Sequence, residues 1–153
     1  MNSMKDALHF TECGLDNVYL MNGFRYGQTS NGEEVLIIQD LPGLHAAIAM
    51  SVVDSPEPLN AKTFKYLRKQ VDMAQRQLAG ILGVEEGTVS LWERGKQPVP
   101  KSADIILRLM VRETCNGNAR LVELIERFNA LDRVVHENML QLQIENDHWQ
   151  ACA

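Results

Sequence analysis

A chain of 153 residues, 45% of them apolar, is long enough for one compact domain or two small ones sharing a boundary, and too apolar for wholesale disorder. No run of about eighteen apolar residues occurs, which excludes a membrane-spanning helix. Met1–Phe10 lacks the basic region and apolar stretch of an export signal, and Cys13, Cys115 and Cys152 are too few and too scattered for a disulfide framework, so a cytoplasmic location is expected.

The net charge of −5 argues at first against nucleic acid, but it is unevenly distributed. Met1–Ser55 carries two basic and seven acidic residues, Pro56–Cys115 ten and seven, and the remainder three and six. Charges more than about 10 Å apart are screened at ordinary salt, so the local field matters more than the total. Only the middle segment has the sign that phosphate attracts.

Taken in chain order, the first part reads as short mixed elements. Val18–Met21 is strand-like, Asn22-Gly23 offers the positive φ angles of a tight hairpin turn, and Phe24–Tyr26 is the expected return strand. Ser30-Asn31-Gly32 is a second turn signal before a strand over Glu34–Gln39. Asp40 and Pro42 open a helix through Val53, with Leu44, Ile48 and Val52 repeating every four residues. Asp54-Ser55-Pro56-Glu57-Pro58 cannot continue that helix and is read as a linker.

Everything beyond the linker is expected to be helical. Asn60 caps a helix to about Val71 that places Phe64, Leu67 and Val71 on one face. A short helix from Ala74 to Leu82 stops at Gly83, a residue suited to the left-handed position after a helix end. A third runs from Glu86 to Trp92 and ends near Gly95. A fourth, Ser102–Glu113, carries Ile105, Ile106, Leu109 and Met110. After Asn116-Gly117-Asn118 a last helix is expected from Ala119 to about His148, with Leu121, Leu124, Phe128, Leu131, Val135 and Leu142 at heptad a and d positions. That stripe suits packing on its own chain and on a twin subunit.

The informative stretch is Gln75-Arg76-Gln77-Leu78-Ala79-Gly80-Ile81-Leu82-Gly83-Val84, followed by Glu85-Glu86-Gly87-Thr88-Val89-Ser90-Leu91-Trp92-Glu93-Arg94-Gly95-Lys96. Two short helices meet at Gly83. Leu78, Ala79 and Leu82 face inward on the first, and Val84, Val89 and Trp92 on the second. The second helix then exposes Glu86, Gly87, Thr88, Ser90 and Leu91, a face able to enter a major groove about 12 Å wide. An ordinary helical hairpin would use the same small residue and glycine.

These residues resemble the repressor/Cro (XRE-type) helix-turn-helix family, whose pattern is Gln-x-x-Leu-Ala, then Leu-Gly-Val, then Val-Ser-x-Trp-Glu-x-Gly-Lys. The likeness extends from Phe64-x-x-Leu67-Arg68 through Leu109, about a third of the chain. It implies that Gln75 and Arg76 open a helix whose N-terminus holds a phosphate, that Arg94 and Lys96 contact the backbone on the other side, and that Glu86, Gly87, Thr88 and Leu91 touch base edges or the groove wall. It also implies a buried ion pair between Arg68 and Glu93. Two departures bear on readout. Gly87 has no side chain and costs its helix about 1 kcal/mol against alanine, and Leu91 cannot donate to guanine. Base readout is therefore expected to be sparse, with DNA shape contributing more; Glu85 and Glu86 can equally serve the helix dipole.

The N-terminal part, with Cys13-Gly14, the turns at Asn22-Gly23 and Asn31-Gly32, and Leu41-Pro42-Gly43-Leu44 before the linker, is similar to the MqsA-type (YgiT-type) antitoxin arrangement. That family places Cys-x-x-Cys at both ends of the unit to hold structural zinc. Here the corresponding pairs are Phe10-x-x-Cys13 and His45-x-x-Ile48, and Cys13 with His45, even with His9 added, does not reach the four ligands of a closed site. No metal or other cofactor is expected, Cys13 being read as a small core residue and His45 as a helix-surface histidine.

The expected fold is mainly α with a small α/β N-terminal part: a hairpin-plus-helix unit over residues 1–55, a helix-turn-helix unit over 59–114 and a packing helix over 118–149. The expected function is that of a dimeric transcriptional repressor binding double-stranded DNA, antitoxin-like and autoregulatory. No nucleophile–base pair or phosphate loop suggests an enzyme. A toxin-neutralising module is the alternative, favoured if Phe24, Tyr26 and Val35–Ile38 form an exposed apolar patch. A ligand sensor is the third, favoured by a deep pocket between the two parts.

Overall fold

The computed structural model describes residues 6–117, 123 and 141–152. Over these the chain is mainly α-helical with three short antiparallel strand pairs. β1 (Leu8–His9) pairs with β2 (Tyr19–Leu20), and β3 (Phe24–Gln28) with β4 (Glu34–Ile38). The expected pairing of Val18–Met21 with Phe24–Tyr26 therefore does not form. Gly23 does take a positive φ of 78°, but its carbonyl accepts from the Gln39 amide at 2.8 Å, so the bend delivers the chain to the base of the next hairpin. The hairpin turn is the second one, where Gly32 at φ 78° lets Thr29 and Glu33 close the loop. A five-pair ladder containing Val35, Ile37 and Ile38 outweighs any pairing a two-residue strand can offer.

α1 (Leu41–Asp54) begins at Asp40, which adopts φ 48° and accepts the Gly43 amide at 3.2 Å. Pro42 in its first turn gives up a hydrogen bond that no helix start can make. α2 (Ala61–Gln70) opens on a reciprocal cap: Asn60 Oδ1 accepts the Thr63 amide at 2.9 Å, and Thr63 Oγ1 accepts the Asn60 amide at 2.8 Å. α3 (Gln75–Leu82) and α4 (Glu86–Glu93) follow, then α5 (Lys101–Cys115).

Phe64, Leu67, Leu78, Val89, Leu107, Met110 and Val111 are fully buried, and the ring of Phe64 meets Trp92 edge-on at 5.6 Å. The core does not stop at the linker, because Phe10, Leu15, Leu20, Ile48, Ala49 and Val53 belong to the same buried cluster. α1 packs on both α2 and α5. The linker is itself clamped. Arg108 on α5 donates to the carbonyls of Val53 at 3.0 Å and Ser55 at 2.6 Å, and the Leu59 amide donates to Asp104 Oδ2 at 2.8 Å.

That clamp sets the register of α5. Of the apolar residues expected to mark it, Met110 is buried and Ile106 half-buried, while Ile105 and Leu109 are 46% and 51% exposed. Ala103, Leu107, Met110 and Val111 form an equally apolar stripe, and facing it inward brings Asp104 and Arg108 to the linker.

The expected C-terminal helix falls mostly outside the described residues, as do Leu121, Leu124, Phe128, Leu131 and Val135; Glu123 is helical. From Leu142 onward the expectation is overturned. β5 (Leu142–Glu145) pairs with β6 (His148–Ala151) across Asn146 and Asp147 at φ 52° and 63°. Two successive left-handed residues make the turn whose twist matches a hairpin, and no helix passes through them. Leu142 is therefore an exposed strand residue rather than a heptad position. Its side shares Ile144, Trp149 and Ala151, leaving Gln143, Glu145, His148 and Gln150 on the other. No helix among the described residues is long and apolar enough to cross a membrane.

Candidate nucleic-acid interface

α3 and α4 are joined by a tight turn, Gly83–Glu85, and pack through Leu78, Ala79, Val89 and Trp92, all buried. Gly83 sits at φ 70°, ψ 30°, and the Val84 amide reaches back to the Ala79 carbonyl at 3.0 Å. The same ending closes α4. Gly95 takes φ 70°, its amide donates to Trp92, and the Lys96 amide donates to the Leu91 carbonyl at 2.9 Å. This six-to-one bond fixes where Lys96 leaves the helix. A β-carbon on Gly95 would meet only Ala61 at 3.8 Å, so backbone strain rather than crowding is what demands glycine there.

Behind the pair of helices lies the ion pair that the sequence pattern implies. Arg68 Nε donates to Glu93 Oε2 and a terminal nitrogen to Oε1, both at 2.7 Å, with side-chain exposures of 10% and 3%. The other terminal nitrogen donates to the Met73 carbonyl at 2.7 Å. The arrangement ties α2 to the end of α4 and to the entry of α3 in one planar contact.

Gln75 takes part in it. Its side-chain amide donates to Glu93 Oε1 at 3.3 Å, so the side chain expected to reach outward is turned toward the ion pair, and its backbone amide at the α3 start is the donor left for an anion. Gln77, two residues on, accepts the Ala74 amide at 2.8 Å and caps the helix.

On the outer side, Glu86 and Gly87 are exposed while Thr88 and Leu91 are half-buried. Glu86, Ser90 and Arg94 follow one another at four-residue spacing, beside Gly87 and Leu91. Arg94 Nε donates to Ser90 Oγ at 3.2 Å, which steadies the guanidinium along the helix. Ser90 thus does more than the sequence reading assigned to it. Between α3 and α4 runs an open concavity of about 630 Å³, lined by Arg76, Gly80, Glu86 and Thr88 among others.

Four of the cations are ion-paired. Lys62, Arg68, Arg108 and Arg112 are each held by a carboxylate, from Asp16, Glu93, Asp104 and Asp54 respectively. Arg76, Arg94 and Lys96 are exposed and, like Arg25, Lys65, Lys69 and Lys101, have no carboxylate partner among the described residues. The face keeps its own acids, Glu85 and Glu86, at the start of α4, where they complement the helix dipole.

No protein-family model matches the chain, and comparison with curated proteins and with solved structures gives no match.

The residues likened to zinc ligands form a packed cluster. Phe10 and Ile48 are buried, and Cys13 donates its thiol hydrogen to the Phe10 carbonyl at 3.4 Å. His45 is not the surface histidine expected. It is half-buried, tilted on Phe10 and stacked on Tyr66, with Nδ1 2.9 Å from the Tyr66 hydroxyl. That hydroxyl donates to the His45 carbonyl at 3.2 Å, so both bonds are satisfied when Nδ1 carries the proton. Burial pushes the Tyr66 hydroxyl well above the ordinary tyrosine range, with Cys13 and then Cys115 adding to the shift. With Nδ1 occupied and apolar side chains at two ligand positions, the donor set does not fit a four-ligand metal, and no group of three metal-binding side chains exists among the described residues.

The β3–β4 hairpin packs on the core at its base, through Phe24 and Ile38. Tyr26 is exposed and Val35–Ile38 are half-buried.

Proposed function

We propose that this protein is a sequence-specific DNA-binding transcriptional regulator of the repressor/Cro kind, acting as a cytoplasmic homodimer and repressing genes that include its own. The observation that carries this reading is the geometry of α3 and α4 together with the exposed cations beside them. Two short helices meet at a glycine turn, a buried ion pair ties the end of α4 to α2 and to the entry of α3, and Arg76, Arg94 and Lys96 are exposed without a carboxylate partner among the described residues. Exposed cations beside both helices suit a phosphate backbone on each side of a groove. Gly87, with no side chain, lets the helix lie close against the groove, and Leu91 beside it offers a methyl surface to thymine.

The C-terminal hairpin supports the dimer. Two strands alone are marginal in water, and the Leu142, Ile144, Trp149 face is open, Trp149 at 70% exposure. Selection of bound duplexes from a random DNA pool tests the whole reading. Enrichment of an inverted repeat supports it, and a pool that stays random after repeated rounds refutes it.

One observation favours a second reading, neutralisation of a toxin-like partner protein. β4 places Val35 and Ile37 on one side of its ribbon and Leu36 and Ile38 on the other, so that the hairpin is apolar on both sides beyond its base. Stable co-purification with the product of an adjacent gene, abolished by Leu36→Lys, would favour it.

A further inference from the structure

The stripe Leu44, Ile48, Val52 on α1 has the period of a core-facing helix, yet only Ile48 is buried. The reason is a cavity of about 600 Å³ between α1, the β1–β2 unit and the linker that leads into α2. This volume lies within the range of small-molecule sites, and an unfilled apolar wall forfeits dispersion contacts that a ligand restores. Leu15 and Leu20 form the facing wall and Leu59 closes the linker side. The walls are preformed. Arg108 holds the Ser55 carbonyl and Asp104 the Leu59 amide, so the linker need not be ordered when a ligand enters.

The polar groups at the cavity define what fits. Asn17 and Ser51 line it and have no side-chain hydrogen bond among the described residues. Among the described lining residues the one cation, Lys62, is held by Asp16 at 2.7 Å, and Glu57 adds a further negative charge. An anionic head would have to share Lys62 with Asp16 and sit against Glu57. An uncharged head can instead bond to Asn17 and Ser51 at no electrostatic cost. We propose that this cavity is a binding site for an uncharged amphipathic small molecule, its apolar body against Leu44, Ile48 and Val52 and its hydrogen-bonding head at Asn17 and Ser51.

The site takes no lining residue from α3 or α4, and its test does not involve DNA. Nile red, an uncharged solvatochromic dye, is titrated into the full-length protein and then competed with 1-decanol or decanoate. The expected result is saturable blue-shifted emission, lost on adding decanol and resisted about tenfold better against decanoate. Ala47→Trp and Ser51→Phe add bulk to the lining from exposed positions and should each abolish the saturable signal, while Ala46→Trp, exposed on the same helix but outside the lining, should preserve it. Melting curves of each variant verify the fold, and decanol should raise the melting temperature of the unaltered protein but not of a filled variant. Absence of saturable binding, equal displacement by decanoate, or binding unchanged in either folded filled variant overturns the proposal.

Discussion

Glu93→Ala removes the carboxylate that holds Arg68 and leaves the arginine where it was. In the intact protein the guanidinium gives two charged hydrogen bonds to Glu93 and one to the Met73 carbonyl, at 10% side-chain exposure. After the substitution only the carbonyl remains, and a positive charge is stranded in a site with little water. Breaking a buried pair from one side costs about 3–5 kcal/mol. The space left by the glutamate admits some solvent, so the lower end, about 3 kcal/mol, is expected. Domains of this size unfold at about 5–15 kcal/mol, so the loss is a large part of the total. In urea, with a slope of about 2 kcal/mol per molar, the midpoint should fall by about 1.5 M at constant slope.

The double substitution Arg68→Met with Glu93→Leu separates charge from packing. Removing both charges strands neither, and well-packed apolar replacements of a buried pair are often neutral, so most of the lost stability should return. A single-variant loss below about half a kcal/mol would refute the account of the pair as buried and mutually dependent. A double variant as unstable as the single would show that shape, not charge, is what the site requires.

Lys96→Ala should weaken binding to all duplexes alike and lower the slope of log affinity against log salt by about one unit, read by fluorescence anisotropy; an unchanged slope removes Lys96 from the interface. The melting temperature should be the same with and without a chelator, and one zinc per chain lost together with the fold would overturn the reading of Cys13 and His45. Tyr66 has its ionisation raised by burial, so its contribution to stability is complete below the ordinary tyrosine value of about 10 and is lost as pH rises beyond it. Tyr66→Phe should cost about 1 kcal/mol at neutral pH through the His45 bonds and flatten that alkaline decline. Sedimentation should show a dimer at micromolar concentration, with operator half-sites about 34 Å apart. Removal of the residues after Asn118 should lower operator affinity; a folded truncation with undiminished affinity would remove the C-terminal segment from the dimer.

What was legible in the sequence was local or tightly patterned. Asn60 with Thr63, Asp40 with Pro42, and Gly83 and Gly95 each fix a helix end through contacts within a few residues, and each is found where the sequence puts it. Arg68 and Glu93 are 25 residues apart and were found only through a family pattern, since no periodicity links them. What was not legible depends on tertiary competition. Strands of two residues carry no alternation, so nothing in Tyr19-Leu20 announces Leu8-His9 as a partner. Ile105 and Leu109 read as a core face as well as Leu107 and Val111 do, and Arg108 reaching carbonyls more than fifty residues away decides between them. Tyr66 and His45 lie on different helices, so a histidine weighed as a metal ligand turned out to be a hydrogen-bond partner. At Leu142 the heptad spacing continued by coincidence into a hairpin whose signal was the turn pair Asn146-Asp147.

The ion pairs also bear on how a chain of net charge −5 keeps exposed cations beside α3 and α4. The acids of the N-terminal part are not a uniform cloud. Asp16 holds Lys62 at the start of α2, and Asp54 at the end of α1 holds Arg112 on α5. Both pairs are largely exposed and add little stability by themselves, but each neutralises one cation outside α3 and α4. The acid deep in the fold, Glu93, consumes one more from behind. Arg76, Arg94 and Lys96 have no such partner among the described residues. On the proposed DNA-binding reading, the acidic residues elsewhere limit non-specific attraction to polyanions, and the exposed cations act on a phosphate brought into register by α4. A protein built this way should bind DNA only where shape and contact both fit, and release it readily as salt rises.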